Sequence, residues 1–515
     1  MTNQEMTSTW KYHNLTKHSY SSIRTNPHYL DWANQPSPFK VYPDVEPIPL
    51  PREFLQSNMP TLEAIALPNL EPTGEMKPSL DQLASILFYS AGITRKKTYP
   101  GGEVYFRAAA CAGARYPTEL YVVCGALDGL PAGVYHFSPG EFALRCLRLG
   151  DWRSVVVRAT GAEPRIASSP VTLVYTALSW RSTWKYRDRA YRYHFWDNGM
   201  ILANALAMAV AHGLPAQLVM GFVEAEINQL IGIDGQQELA LSLLALGYTP
   251  EPAPLLTTSE ALPDLQLETL PLSPSQMDYP SIRELHAASS FTRASEITEW
   301  RSVRIERQSP ETTGQFFPLS FPPEYQLASE PIEEVIRRRA STRRFARKAM
   351  PFADLSVILD RSSRPIATDF MKQSVFELND IYLIVNRVDG LMPGAYFFRQ
   401  EEAALELLKE GDFSREARYL TLEQDLGGDA SVTLFFMADM KSLLDKLGNR
   451  GYRAAQIEAG IIGGKMYLAA YAMKRGATGL TFYDDDVTEF FSPHAADKSC
   501  IFVTSIGIPG KRPLY

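Results

Sequence analysis

Two stretches of the chain are near copies of each other: Asp128-Gly129-Leu130-Pro131-Ala132-Gly133-Val134-Tyr135 and Asp389-Gly390-Leu391-Met392-Pro393-Gly394-Ala395-Tyr396, offset by 389 − 128 = 261 residues. The same offset lays 120–123 over 381–384, 171–173 over 432–434, Tyr191-Arg192 over Tyr452-Arg453 and Gly199 over Gly460, with no gap. A period of about 20–50 residues would mean a solenoid, whereas one this long means two copies of a whole domain. A chain of 515 residues is too long for a single core, and each copy is long enough for its own.

The composition is that of an ordinary globular protein, with 45% hydrophobic and 21% charged residues. A balance of 51 basic to 58 acidic residues gives −7, which offers no footprint for nucleic acid or an anionic membrane. The cysteines at 111, 124, 146 and 500 have neither CxxC pairing nor zinc-type histidine spacing, so no disulfide framework or metal site is expected, and a reducing, cytoplasmic setting fits. No apolar run reaches membrane-spanning length; the segment 200–211 is short, contains Asn204 and reads as part of a buried helix.

Along the chain, 1–77 shows little periodicity and reads as an extended arm that wraps a neighbour. Copy one occupies 78–250, with helical spacing at 80–91, short β-rich runs at 120–123 and 171–175, and a long apolar helix over 195–212. The Pro-rich stretch 251–330 reads as a surface tether with at most one short helix near 282–289. Copy two occupies 331–515, opening with a helix at 331–339 and repeating the apolar helix at 456–475. Helices and strands in this mixture give an α+β fold, and helices too apolar to face solvent make the copies pack through them as an intrachain pseudo-dimer.

The copies differ where chemistry is expected. Copy two opens with Arg339-Ala340-Ser341-Thr342-Arg343, which can converge guanidiniums and a hydroxyl on a phosphate, and it ends with Lys511-Arg512; copy one has Pro51-Arg52-Glu53-Phe54 and Gly247 to Glu251 in the corresponding places. Copy one alone has Arg107-Ala108-Ala109-Ala110-Cys111-Ala112-Gly113-Ala114-Arg115-Tyr116-Pro117, a small-residue loop that lets backbone approach a planar ligand. Copy two is 34 − 23 = 11 residues shorter here, counted between Ile86 and Leu120 and between Ile358 and Ile381. Lys185 is matched by Lys446, but Tyr186 is matched by Leu447. A lysine beside a tyrosine offers a proton acceptor and donor whose pKa values burial or nearby cations could lower.

These residues resemble the nitroreductase superfamily and, within it, the SagB-type dehydrogenases related to the cyanobactin thiazoline oxidases. The arm carries the most specific likeness, in Tyr12-His13-Asn14-Leu15-Thr16-Lys17-His18-Ser19, Leu30-Asp31-Trp32-Ala33-Asn34 and Pro38-Phe39-Lys40. The loop 107–117 is similar to that family's Arg-Pro-Ser-Pro-Ser-Ala-Gly-Ala-Leu-Tyr-Pro, and 339–343 to its Arg-x-Ser-x-Arg.

The resemblance implies two nitroreductase-like units, each a mixed sheet flanked by helices, with FMN bound between them. Arg339, Ser341, Arg343, Lys511 and Arg512 would hold the phosphate, Arg107, Ala112 and Gly113 the ring, and the amides of Thr478 and Gly479 its N5 edge. Cys111 and Tyr116 would line the substrate side, and Lys185 and Tyr186 would be catalytic. It implies two-electron oxidation of an amino-acid-derived or peptide heterocycle, azoline to azole, with dioxygen as acceptor and biosynthetic enzymes as partners. Oxidation or oxidative cyclisation of an N-acyl amino acid, NAD(P)H-dependent nitroreduction and a non-catalytic scaffold are the alternatives. Ala109, Ala110, Cys111 and Arg115 depart from the family's Ser, Pro, Ser and Leu, so the loop does not carry over a substrate. The chain is expected as a monomer or a homodimer.

Overall fold

The computed structural model describes residues 3–67, 70–99, 102–251, 253, 262–305, 310–323, 326–370 and 378–511. Each copy is built on a seven-stranded sheet, and the two strand orders correspond one to one. The first runs Pro47–Pro49, Ala143–Leu149, Gly133–Ser138, Thr118–Cys124, Val171–Leu178, Glu238–Leu246, Ala216–Val219. The second runs Phe316–Pro318, Ala404–Glu410, Gly394–Arg399, Asp380–Val385, Val432–Ala438, Ser499–Gly507, Gly476–Gly479. Pairings between these strands are antiparallel, and a parallel bridge from Leu218 to Thr368 adds the mixed element at the edge of the first sheet. The central strands are buried throughout, which is why Thr118–Cys124 and Val171–Leu178 read as apolar runs rather than alternations.

The two long helices, Ala190–Ala211 and Asn449–Ala472, pack on each other in the middle of the molecule, and nearly every residue of both is buried. They cross at the glycines that the repeat superimposes: a Cβ added at Gly199 would lie 2.7 Å from Gly460 Cα, and one at Gly460 would lie 3.1 Å from Gly199 Cα. Only residues without side chains allow backbones this close. Asn204 donates to the Tyr89 carbonyl at 2.8 Å, and its repeat equivalent Lys465 donates to the Arg364 carbonyl at 3.1 Å, so the two polar residues serve corresponding places in their own copies, within Leu80–Ala91 and just past the end of Phe352–Ser362. Ser79 and Gln82 form the capping box that starts the former helix.

The pseudo-symmetry is sealed by buried charge. Arg192 pairs with Asp484 at 2.6 Å, and its equivalent Arg453 pairs with Glu224 at 2.7 Å; each acid opens a short helix of the opposite copy. Arg189 and Arg450 join the same acids. Arg192 also donates to the His13 carbonyl of the arm, and Arg453 to the His286 carbonyl of the connecting segment. At the axis itself, Thr61 donates to the Glu330 carbonyl and Ile332 to the Met59 carbonyl, both at 3.0 Å. Such reciprocal contacts are the mark of an isologous interface.

This symmetry revises two expectations. The arm is not extended but holds the helices Thr7–Leu15 and Tyr20–Thr25 and the edge strand Pro47–Pro49. The segment read as a tether contains the helices Pro280–Ala288 and Ala294–Ser302 and the edge strand Phe316–Pro318, and it occupies the places in copy two that the arm occupies in copy one. The duplication therefore reaches upstream of each core. It is hidden there because what the two segments share is docking geometry with few shared residues.

Candidate functional site

The loop after the hairpin Ile93–Tyr99 and Gly102–Arg107 is held in an uncommon backbone form, with φ of 58° at Gly113, 53° at Ala114 and 49° at Tyr116. Residues other than glycine avoid this region unless neighbours fix them. The fixing group is Asp197 on the first long helix, which accepts the Ala112 N–H at 2.8 Å and the Cys111 thiol at 3.2 Å. The Cys111 sulfur in turn accepts the Tyr116 N–H at 3.0 Å, and the Tyr116 hydroxyl accepts the Arg107 N–H at 3.1 Å. From the other copy, Arg339 donates to the carbonyls of Arg107 and Ala108 at 2.8–3.1 Å.

The helix Ser179–Tyr186 delivers Lys185 and Tyr186 to the tip of this loop. A Cβ added at Gly113 would lie 2.5 Å from the Tyr186 hydroxyl and 3.0 Å from the Lys185 nitrogen. Burial lowers the Lys185 pKa, and the guanidiniums of Arg115 and Arg343 lower it further. For Tyr186 the expected lowering is reversed: burial holds its pKa well above the ordinary value, reinforced by Tyr193, whose ring lies 4.3 Å away. Burial thus favours the protonated phenol at Tyr186 and disfavours the ammonium form at Lys185. Burial, together with the neighbouring Asp197, keeps the Cys111 thiol far above its usual range, which is the state of a packing residue.

A cavity of about 260 Å³ opens between the copies and is lined by Arg107, Cys111 and Tyr116 from one and by Arg339, Ser341 and Arg343 from the other. Residues 344–346 pair with 508–510, which sets the exposed Lys511 at the register position opposite Arg343; Arg512 lies outside the described residues. Thr342 N–H donates to the Ala477 carbonyl at 2.8 Å, bringing the strand Gly476–Gly479 alongside. Behind Ser341, the Tyr467 hydroxyl lies 3.5 Å from its oxygen and accepts the Gly479 N–H at 2.5 Å, while the Thr504 hydroxyl donates to the Thr478 carbonyl. Both Tyr467 and Asp197 escaped the sequence reading. Asp197 had a signal, since the repeat places Glu458 opposite it on a helix otherwise largely apolar.

Among the described residues, the pseudo-equivalent position on the other side is covered. Gln217-Leu218 stand where copy two has Thr478-Gly479, and the shortened segment of copy two lies directly on them. Leu218 N–H donates to the Ala367 carbonyl at 2.9 Å, Asp369 N–H donates to the Leu218 carbonyl at 3.1 Å, and the Asp369 carboxylate accepts the N–H groups of Met220 and Gly221. The contacts across the axis at Pro60 and Pro331 (331 − 60 = 271) also move the counterpart of the Arg-x-Ser-x-Arg motif from 51–54, as read in the sequence, to 68–72. That stretch, Pro68-Asn69-Leu70-Glu71-Pro72, likewise lacks arginine and serine.

Comparison with known proteins agrees with this architecture. The nitroreductase family model matches residues 75–248 and 336–507. A solved structure from Anabaena variabilis, provisionally named a nitroreductase, superposes with a TM-score of 0.78 at 27% identity, over 98% of this chain and 99% of that one. A provisionally named nitroreductase from Methanocaldococcus jannaschii is 29% identical over 169 residues, which is 33% of this chain and 80% of that protein. The trifolitoxin-processing protein of Rhizobium leguminosarum bv. trifolii is 31% identical over 170 residues, covering 32% of this chain and 46% of its own length, so less than half of that protein is matched. Among the described residues no helix is long and apolar enough to cross a membrane. With both domains matched and their strands, helices and reciprocal contacts in register, the chain belongs to the nitroreductase family, two copies of the family's domain sharing one polypeptide.

Proposed function

We propose that the chain is an FMN-dependent dehydrogenase that removes two electrons and two hydrogens from an amino-acid-derived or peptide heterocycle of the azoline type, with dioxygen as the final acceptor and natural-product enzymes as partners. The observation that carries this reading is that the loop around Gly113, whose tip lies against Lys185 and Tyr186, borders through Cys111, Ala114 and Tyr116 the same cavity that Ser341 and Arg343 line from the other copy, with Arg343 near enough to act on Lys185. The residues fit FMN: a hydroxyl and guanidiniums suit a phosphate, and a loop without bulky side chains at its tip suits a flat ring. Similarity to a protein that processes trifolitoxin supports a peptide-derived substrate.

FMN, when bound, would supply the two-electron acceptor. Ser341 and Arg343 would hold its phosphate, with Lys511 at the rim, and Arg339 would keep the loop against it. Ala112 and Gly113 would lie against the ring, the strand end at Thr478 and Gly479 would stand beside it with the Gly479 N–H held by Tyr467, and Cys111 and Tyr116 would bound the substrate. Lys185, whose ammonium form is disfavoured by burial and two guanidiniums, would accept the substrate's acidified Cα proton. Tyr186 would donate a hydrogen bond that orients the ring being oxidised.

Purified chain should contain one FMN. Lys185→Ala and Tyr186→Phe should keep the flavin spectrum and lose turnover of an azoline substrate by at least about a hundredfold. Two flavins per chain, full activity in both variants, or rapid flavin reduction by NAD(P)H would each overturn the reading.

A further inference from the structure

Among the described residues, six cationic side chains line the cavity, Arg95, Lys97, Arg107, Arg337, Arg339 and Arg343, and no carboxylate does. A phosphate monoester carries about two negative charges at neutral pH, which leaves about four of the six without a counter-charge. Arg107 and Arg339 are tied to backbone carbonyls, and Arg337 lies over the Tyr89 ring at 5.4 Å. Arg95 and Lys97 are placed differently. They stand two residues apart on one strand of the hairpin and therefore share a face, with Arg95 over the Phe106 ring at 4.5 Å. The intervening Lys96, on the opposite face, is neutralised by Glu103 at 2.7 Å. The hairpin thus balances charge on its outer face and leaves it open on the face toward the cavity; among the described residues neither Arg95 nor Lys97 has a carboxylate partner. This hairpin also falls in the segment where copy one is longer than copy two, on the side of the molecule whose cavity is open.

We propose that the hairpin is an anion-binding flap, in which Arg95 and Lys97 take a carboxylate of the substrate while the Ser341–Arg343 wall takes the cofactor phosphate. The inference rests on the FMN reading and narrows it. The substrate is a molecule bearing a free carboxylate, and a ring embedded in a neutral stretch of peptide does not satisfy the flap. The same cations could instead serve the FMN phosphate, and the test separates the two sources.

Binding of benzoate and of its uncharged counterpart benzamide is measured by calorimetry on the full chain, with and without FMN, and FMN and riboflavin affinities are measured by fluorescence. Benzoate should bind at least about tenfold more tightly than benzamide, as charge-assisted hydrogen bonds imply. Arg95→Gln/Lys97→Gln should erase that preference while FMN affinity stays within a factor of about three, because the phosphate keeps its direct partners at Ser341 and Arg343. Equal binding of the two probes, or no benzoate binding, overturns the proposal. So does a variant that loses FMN affinity while keeping riboflavin affinity, which would assign the flap to the phosphate. A chain that binds no flavin refutes the proposed function, and the benzoate comparison on that chain still decides the flap.

Discussion

Replacing Gly199 by alanine tests the central packing of the molecule. The new Cβ would lie 2.7 Å from Gly460 C and Cα and 2.7 Å from the Ile457 carbonyl oxygen. Carbon atoms in contact sit about 3.5–4.0 Å apart, so the two helices would have to separate by about 1 Å. Alanine in a helix interior gains about 1 kcal/mol over glycine. Overpacking costs about 1–3 kcal/mol where side chains can yield, and here the opposing atoms are backbone, so the upper end applies. The net loss is about 2 kcal/mol. At about 2–4 °C per kcal/mol for a unit of 150–250 residues, melting falls by about 4–8 °C if the copies unfold separately and by about half that if they unfold together. Thermal and urea unfolding read this directly. Gly199→Ala/Gly460→Ala should cost less than the two single changes combined, because one separation relieves both contacts. A Gly199→Ala chain as stable as the parent, or more so, would refute the close crossing.

Three further outcomes follow from the buried groups. Burial alone would raise Asp484, but Arg189 at 2.9 Å and Arg192 at 2.6 Å hold it down to about 2; its stabilisation is present above the ordinary carboxylate range and is lost as pH falls toward that value. Asp484→Asn leaves two buried guanidiniums uncompensated and should cost about 3–5 kcal/mol in denaturant unfolding at pH 7, and a loss below about 1 would show the pair is not buried. Asp197 is pushed up to about 7 by burial, so the folded state holds its proton more tightly than the unfolded chain, and stability should fall as pH rises from about 4 to about 7. Asp197→Asn should abolish that part of the pH dependence, and an unchanged profile would refute the assignment. Gly113→Ala should combine left-handed strain with displacement of Tyr186, whereas Gly213→Ala has φ of 69° and nothing within 4 Å of the new atom. Both should lose about 1 kcal/mol of stability, but only the first should change turnover, by about a hundredfold; equal turnover in the two would remove Gly113 from the site.

The repeat made the duplicated cores, the long helices and their glycine crossing legible, because identical packing demands similar residues at fixed positions. Leu80–Ala91 was readable from its helical spacing, and the middle of Thr118–Cys124 from the short β-rich run at 120–123. The arm and the connecting segment were not, since their likeness lies in which carbonyls they present, as at His13 and His286, and a backbone acceptor leaves no sequence trace. At the site, the small-residue loop, Lys185 and the Arg339–Arg343 motif could be seen as asymmetries between copies. Asp197 is no such asymmetry, since the repeat sets Glu458 opposite it, and its role shows only in the loop that folds onto it from 85 residues away in sequence. The reversal at Tyr186 is likewise tertiary: sequence shows the cations nearby but not that Tyr193 and burial outweigh them.

The closure at Ala367 to Asp369 has a consequence for how the molecule can respond to ligand. A symmetric pair of identical sites can communicate, and occupancy of one can alter the other. Among the described residues the second pseudo-equivalent position is covered, so binding within a single chain should be non-cooperative, and any departure from a hyperbolic curve would report association between chains. Fusion also gives the entrance a fixed handedness: a substrate or partner meets copy one's hairpin on one side and copy two's arginines on the other, and never the reverse.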